Sequence, residues 1–203
     1  MRKKVLIPIV LSVAALFYLP NIFYSPGYAL VTTCLPVKVG PNAPQATLPP
    51  ECAGSGGNQQ VVALAKAQLG DPYVWGAPAR NWASLSDNPP SFDCSGLVGW
   101  AWYKGSGGKV SMSGQTSADW NDTSGKYQKF TKDQIGQIQP GDLIYFTGSN
   151  IHHVGMYVGQ GGCGAADCFI HAPQTGDVVK ESSLSQRNAG SDPMVGFLRP
   201  VMQ

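Results

Sequence analysis

The chain has 203 residues, of which 43% are apolar and 13% charged, with 14 Lys and Arg against 12 Asp and Glu for a formal net charge of +2. Such a chain can bury one good core, which leaves no room for a second domain of ordinary size. The slight positive balance gives at most a mild attraction to anionic polymers, and neither a nucleic-acid-binding patch nor a phosphate-binding loop accompanies it.

The N-terminus reads as an export address. Arg2, Lys3 and Lys4 precede an apolar stretch from Val5 to Leu19, and Gly27 and Ala29 stand three and one positions before a cut after Ala29. That is the layout of a secretory signal over residues 1–29. The competing reading is an uncleaved membrane anchor through residues 5–24, in which Asn21 is the strongly polar residue and Pro8 and Pro20 weaken the helix. Both readings place the rest of the chain outside the cytosol. Residues 30–57 carry Pro36, Pro41, Pro44, Pro49 and Pro50 with Gly54, Gly56 and Gly57, the composition of an extended linker.

The five cysteines fit an oxidising compartment, and their odd number leaves one thiol over. Cys163 and Cys168 bracket a short Gly-rich loop, where a disulfide would pin a hairpin. Cys34 and Cys52 flank the proline-rich tract, where closing the loop would contribute ~3 kcal/mol. Cys94 is then the unpaired thiol.

A single domain is expected over residues 58–203. Val61, Leu64, Ala65 and Leu69 recur at helical spacing, with Asn58 as a cap and Gly70 as a stop. After a loop from Asp71 to Ser91, Leu97, Val98, Ala101 and Trp102 define the face of a second helix ended by Gly105, with Cys94 at its start. Short β-rich runs follow: Leu143 to Phe146, His153 to Val158, Phe169 to His171, Val178 to Lys180 and Val195 to Arg199. Helices first and strands afterwards predict an α+β domain built on an antiparallel sheet of about five to six strands.

A cysteine at a helix start has a physical reason to be reactive. The free thiol, with a pKa near ~8.5, is only a few per cent ionised at neutral pH, whereas the unpaired N–H groups of a first helical turn and a neighbouring imidazolium favour the anion. The helix dipole supplies only ~0.3–1 kcal/mol, so a histidine must supply most of the activation. The same backbone N–H groups can receive an oxyanion. Three histidines compete for the role of base. His152 and His153 are adjacent, so on a strand they point to opposite faces, and alternation alone does not choose between them. His171 lies on a separate strand and could orient the base. Asp93 could simply cap the helix.

These strings, taken in order, carry a resemblance. Leu69-Gly70-Asp71-Pro72-Tyr73-Val74-Trp75-Gly76, Phe92-Asp93-Cys94-Ser95-Gly96-Leu97-Val98, Gln139-Pro140-Gly141-Asp142-Leu143-Ile144-Tyr145-Phe146, His153-Val154-Gly155-Met156-Tyr157-Val158-Gly159 and Ile170-His171-Ala172 resemble the successive motifs of the NlpC-type cell-wall peptidases, over roughly Asn58 to Pro200. The resemblance implies a papain-like domain that hydrolyses peptidoglycan stem peptides, commonly between D-γ-glutamate and the following diamino acid, and needs no cofactor. It implies Cys94 as nucleophile, His153 rather than His152 as base, and His171 as the polar residue that orients it. It further implies Tyr73 near the oxyanion, and Asp93 and Ser95 in contact with the stem, with Asp93 pairing the free amine of stems already cut from the glycan.

Departures from the family pattern concern the surround. Ala77 stands where a second glycine is usual, the stretch Pro78 to Pro90 is expanded, and Ser113-Gly114-Gln115 precedes Thr116-Ser117 without the usual arginine or proline. No metal-ligand spacing is present, since Cys163 and Cys168 are isolated from histidine ligands. Trp100 and Trp102 are explained by helix packing, with Trp75 near the cleft. Two alternatives stand beside the endopeptidase: an amidase of related fold that frees the whole stem, and an inactive wall-binding component of a secretion or conjugation apparatus.

Overall fold

The computed structural model describes residues 57–147 and 150–202. The expected signal or anchor at 1–29, the linker up to residue 56, and the Cys34 and Cys52 pair lie outside the described residues.

Helix α1 (Gly57–Lys66) packs Val61 and Ala65 into the core, as the periodicity predicts. It begins one residue before Asn58, which therefore lies in the first turn rather than capping it. It also stops short of Leu69, because the chain turns at Ala67 to Gly70 and Gly70 takes a positive φ of 87°. Leu69 is consequently rotated out of the core and exposed.

Helix α2 (Cys94–Gly105) is buried almost all round, with ten of its 12 residues inside. Such a helix needs partners on every side. Glycine makes two of these approaches: a Cβ on Gly99 would stand 2.9 Å from the Trp82 ring, and one on Gly105 would meet Val61. The indole N–H groups find acceptors, Trp102 donating to the Gly141 carbonyl at 3.0 Å and Trp82 to that of Met112 at 2.8 Å. The expanded stretch after Ala77 is therefore anchored through Trp82, which sits in a short 3₁₀ turn, Trp82–Ser84.

A short helix α3 (Thr116–Trp120) precedes a six-stranded sheet: β1 (Tyr127–Thr131), β2 (Leu143–Thr147), β3 (Ile151–Gly159), β4 (Cys168–His171), β5 (Lys180–Ser183) and β6 (Met194–Pro200). The order is β1-β6-β2-β3-β4-β5 and every pairing is antiparallel. Helix α4 (Leu184–Asn188) links β5 to β6. β2 is central and buried on both faces, Leu143 and Tyr145 toward α1 and α2, Ile144 and Phe146 toward Phe169, Phe197 and Leu184. This alternation is what a strand covered on both sides requires.

Two strand expectations shift. β5 runs from Lys180 to Ser183, later than the apolar run Val178 to Lys180, because Val178 and Val179 instead pair outside the sheet with the segment Gly70 to Pro72. β1 is an edge strand with largely exposed side chains, so it carries little apolar alternation to read.

Candidate active site

Asp93 caps α2 with extended backbone (φ −95°, ψ 179°), its Oδ1 accepting the Gly96 N–H at 2.7 Å. This puts Cys94 at the first helical position, the free cysteine among the described residues, almost fully buried. Its sulfur lies 3.7 Å from Thr116 Oγ1 and takes the backbone N–H of Val154.

The sheet register explains why that N–H is available. Tyr157 turns its backbone toward the β2 side, donating to the Asp142 carbonyl at 2.8 Å and accepting from Gly141. Successive residues alternate sides, so Met156 and Val154 turn toward β4. Met156 pairs with Ile170, but β4 ends at His171 and leaves the edge beside Val154 unpaired. The thiol occupies that edge.

The adjacent histidines separate as a strand demands. His153 is buried with its ring 5.8 Å from that of Phe146, on the same side as His171 and Phe169. His152 is exposed in the cleft wall, 2.9 Å from the Asn150 carbonyl through Nδ1 and 3.8 Å from the Asp192 carboxylate through Nε2. His153 Nε2 lies 2.8 Å from His171 Nδ1, and His171 Nε2 lies 2.9 Å from Ser182 Oγ. If Nε2 of His153 carries the proton, it donates to Nδ1 of His171, whose Nε2–H then donates to Ser182. That tautomer leaves His153 Nδ1 as the basic nitrogen.

Electrostatics favour a neutral pair at rest. Burial, chiefly, pushes the Cys94 thiol up, and Asp93 adds to it, against the lowering effects of Thr116 and the Val154 and Ser95 N–H groups. Burial also pushes the His153 imidazole well below its ordinary value, with His171, Arg187 and His152 adding to the effect. His171 is pushed down to about 3, again mainly by burial, then by Arg187 and Lys180. The thiolate and imidazolium expected from the helix start are thus outweighed by desolvation.

Tyr73 is half-buried and its phenol is pushed up by burial, then by Cys94 and Asp93, so it stays protonated and able to donate. Ser95 is buried and its hydroxyl donates to the Gly114 carbonyl at 2.8 Å. Asp93 receives a guanidinium: Arg80 Nη2 lies 2.7 and 2.6 Å from its two oxygens, while Gly76 N–H adds a bond at 2.9 Å. Arg80 also donates through Nε to the Gly114 carbonyl at 2.9 Å. An arginine thus reaches the residues before Thr116 from the expanded segment rather than from the usual place.

Arg80, Thr116 and Ser182 are the contributors the sequence reading did not single out. Arg80, Asp93, Ser95, Gly114, Thr116 and His152 line a cleft of about 500 Å³ over Cys94, with Trp75 83% exposed beside them; His153, His171 and Ser182 lie outside that lining. Cys163 and Cys168 form a disulfide at the β3–β4 turn, with a sequence separation of 5.

The sequence model of the NlpC/P60 family matches residues 70–197. The chain belongs to the NlpC/P60 family. A "Probable endopeptidase" of Corynebacterium glutamicum (strain R) is 32% identical over 143 residues, covering 70% of this chain and 55% of the relative. The "Probable endopeptidase p60" of Listeria grayi is 37% identical over 102 residues, covering 50% of this chain and 16% of the relative. The chain therefore spans about half the length of the first of these relatives and much less of the second. A solved structure of the Resuscitation Promoting Factor Interacting protein RipA mutated at C383 superposes with a TM-score of 0.53 at 23% identity, over 79% of this chain and 69% of that one, and shows the shared NlpC/P60 fold.

Proposed function

We propose that this NlpC/P60 chain is an exported cysteine endopeptidase of peptidoglycan that cleaves stem peptides after D-γ-glutamate. The observation that carries the reading is the meeting of Cys94, at the start of α2, with the strand that bears His153, itself coupled to His171 and Ser182. The relatives' names, endopeptidases, agree with it.

In this mechanism the thiol leaves Thr116 and approaches the substrate carbonyl as His153 Nδ1 takes its proton. Neutral Cys94 and neutral His153 make the transfer concerted with attack, a general-base step rather than capture by a standing thiolate. The sulfur–carbon bond forms, and the oxyanion is received by α2 N–H groups and the Tyr73 hydroxyl. The imidazolium, stabilised by His171, returns its proton to the leaving amine. Water then hydrolyses the thioester with His153 again as base.

His153 serves as base rather than His152 because its second nitrogen is held by His171, whereas His152 is solvent-exposed. Export through residues 1–29, with release or anchoring through 5–24, brings this site to the wall. The test is digestion of purified sacculi by the wild-type chain and the Cys94→Ala variant, with mass analysis of the fragments. New amino termini on the diamino acid support the endopeptidase; release of whole stems identifies an amidase instead.

A further inference from the structure

We infer that Lys109, Lys126, Lys129 and Lys132 form a docking surface beside the catalytic cleft for an anionic wall polymer built on phosphodiester links. The choice of a wall polymer rests on the proposed action at the wall, whereas the charged surface is a property of the fold.

The basic side chains of the described residues divide into two groups. Lys66, Arg80, Lys104, Lys180, Arg187 and Arg199 each pair with a carboxylate. Lys109, Lys126, Lys129 and Lys132 form no ion pair among the described residues, and all four are exposed, three of them in or beside the edge strand β1. The carboxylates nearest in sequence are otherwise engaged. Asp119 is buried and accepts from the Ser113 N–H and the Tyr127 hydroxyl. Asp122 accepts from the N–H and hydroxyl of Ser124, and its carboxyl is lowered chiefly by that serine and least by Lys126. Asp133, exposed, follows Lys132.

Lys109, Ser111 and Lys126 line a hollow of about 160 Å³. That is smaller than the ~300–1,000 Å³ of a pocket for a drug-sized ligand and suits a compact anion such as one phosphate group. Lysines on an edge strand deter pairing with another chain, which accounts for residues in or beside β1. It does not account for Lys109, which reaches the same hollow from beyond the end of α2. Lys129 is seated, its Nζ donating to the Trp120 carbonyl at 2.7 Å and lying 3.9 Å from the centroid of that ring. At ~3.3 Å per strand residue, Lys126 and Lys129 stand ~10 Å apart along the chain, close to the ~8 Å Debye length at physiological salt. Lys132 continues the row by opening the 3₁₀ turn Lys132–Gln137. A row of ammonium groups matches repeated phosphates better than it matches one small anion. The row also adjoins the reaction site: Ser111 lines the hollow and Gly114 the catalytic cleft, so no more than ~11 Å of chain separates them. A polymer held here keeps the enzyme beside its insoluble substrate.

The experiment measures binding of the full chain to poly(glycerol phosphate) and to phosphatidylcholine vesicles with and without phosphatidylglycerol. Wild type is compared with Lys109→Gln/Lys126→Gln and with the variant carrying Gln at all four positions. The fourfold variant should bind the polymer at least tenfold more weakly, and the double variant, which leaves Lys129 on Trp120, should fall between. Wild-type affinity should drop at least tenfold between ~50 and ~200 mM salt, the signature of counterion release. Both variants should keep wild-type kcat/KM on a soluble stem, which also shows them folded. Polymer binding that is absent, insensitive to salt or unchanged in the fourfold variant overturns the inference. So does lysine-dependent binding to phosphatidylglycerol vesicles without polymer binding, which would identify a lipid surface instead. Binding is read without turnover, so a chain that holds the polymer but cleaves neither stems nor sacculi refutes the endopeptidase reading and leaves the docking surface standing.

Discussion

His153 Nε2 lies 2.8 Å from His171 Nδ1, which fixes one nitrogen of the candidate base and leaves Nδ1 uncommitted to that contact. His171 is thus a positioning residue, and its removal should impair the chemical step rather than binding. His171→Ala is expected to lower kcat about 100-fold with KM nearly unchanged, within the range of acid–base contributions. His171→Gln, which can still accept from Nε2, should recover part of the loss. Steady-state kinetics on a defined stem check both; a rise in KM at constant kcat would point to substrate contact instead.

His152→Ala separates the two adjacent histidines. His152 is exposed and turned to the Asn150 carbonyl and the Asp192 carboxylate, whereas His153 is held by His171, so loss of His152 should change kcat less than about fivefold, against 10²–10⁴-fold for His153→Ala. The opposite ranking would reassign the base.

The pH profile follows from burial. His153 is held well below its ordinary value, so it remains an available base under mildly acid conditions. The acid limb of kcat/KM should fall clearly below pH ~6.5, the value of an unperturbed histidine. Alkylation of resting Cys94 should rise with pH only above the ordinary thiol range, since burial holds the thiol protonated. An acid limb at pH 6.5 or higher would show a histidine without that shift, and rapid alkylation at pH 6 would show a thiolate–imidazolium pair at rest.

Stability carries the same signature. An unfolded chain protonates His171 near pH ~6.5, whereas the folded state resists until about 3. Between those values the unfolded state binds more protons, so stability falls as pH is lowered from about 6.5 toward 3 and is insensitive to this group above it. Chemical denaturation at pH 7, 5 and 4 should show that decline, reduced in His171→Gln.

Much of the site was legible because its chemistry lies in short strings. Asp93-Cys94-Ser95-Gly96 announces a capped helix start, and His153-Val154-Gly155 a strand. The partners that tune them are distant and chemically ordinary. Arg80 reaches Asp93 across 13 positions, Thr116 reaches Cys94 across 22, and Ser182 reaches His171 across 11. Nothing in an isolated Arg, Thr or Ser marks such a contact. The fold was read in the same way: β2 and β3 stand out as buried runs, whereas β1 lies at an edge with exposed side chains. Leu69 misled the helical periodicity because the helix ends at Lys66 and the chain turns before reaching it. Balance between dipole and desolvation was also invisible, since it depends on how deeply α2 is packed.

Gly96 offers a test of the close approach that carries Arg80. A methyl group there would collide with the Ala77 carbonyl, so Gly96→Ala should destabilise the fold by about 1–3 kcal/mol, despite the better helix propensity of alanine. Denaturant titration measures it; a neutral or stabilising result would mean that the Ala77 to Arg80 segment yields easily.

The most direct measurement is mass analysis of sacculi treated with the wild-type chain, Cys94→Ala and His153→Ala. Wild type should release fragments cut after D-γ-glutamate, and both variants, shown folded by circular dichroism, should release none above background. Undiminished cleavage by pure Cys94→Ala protein would contradict the account.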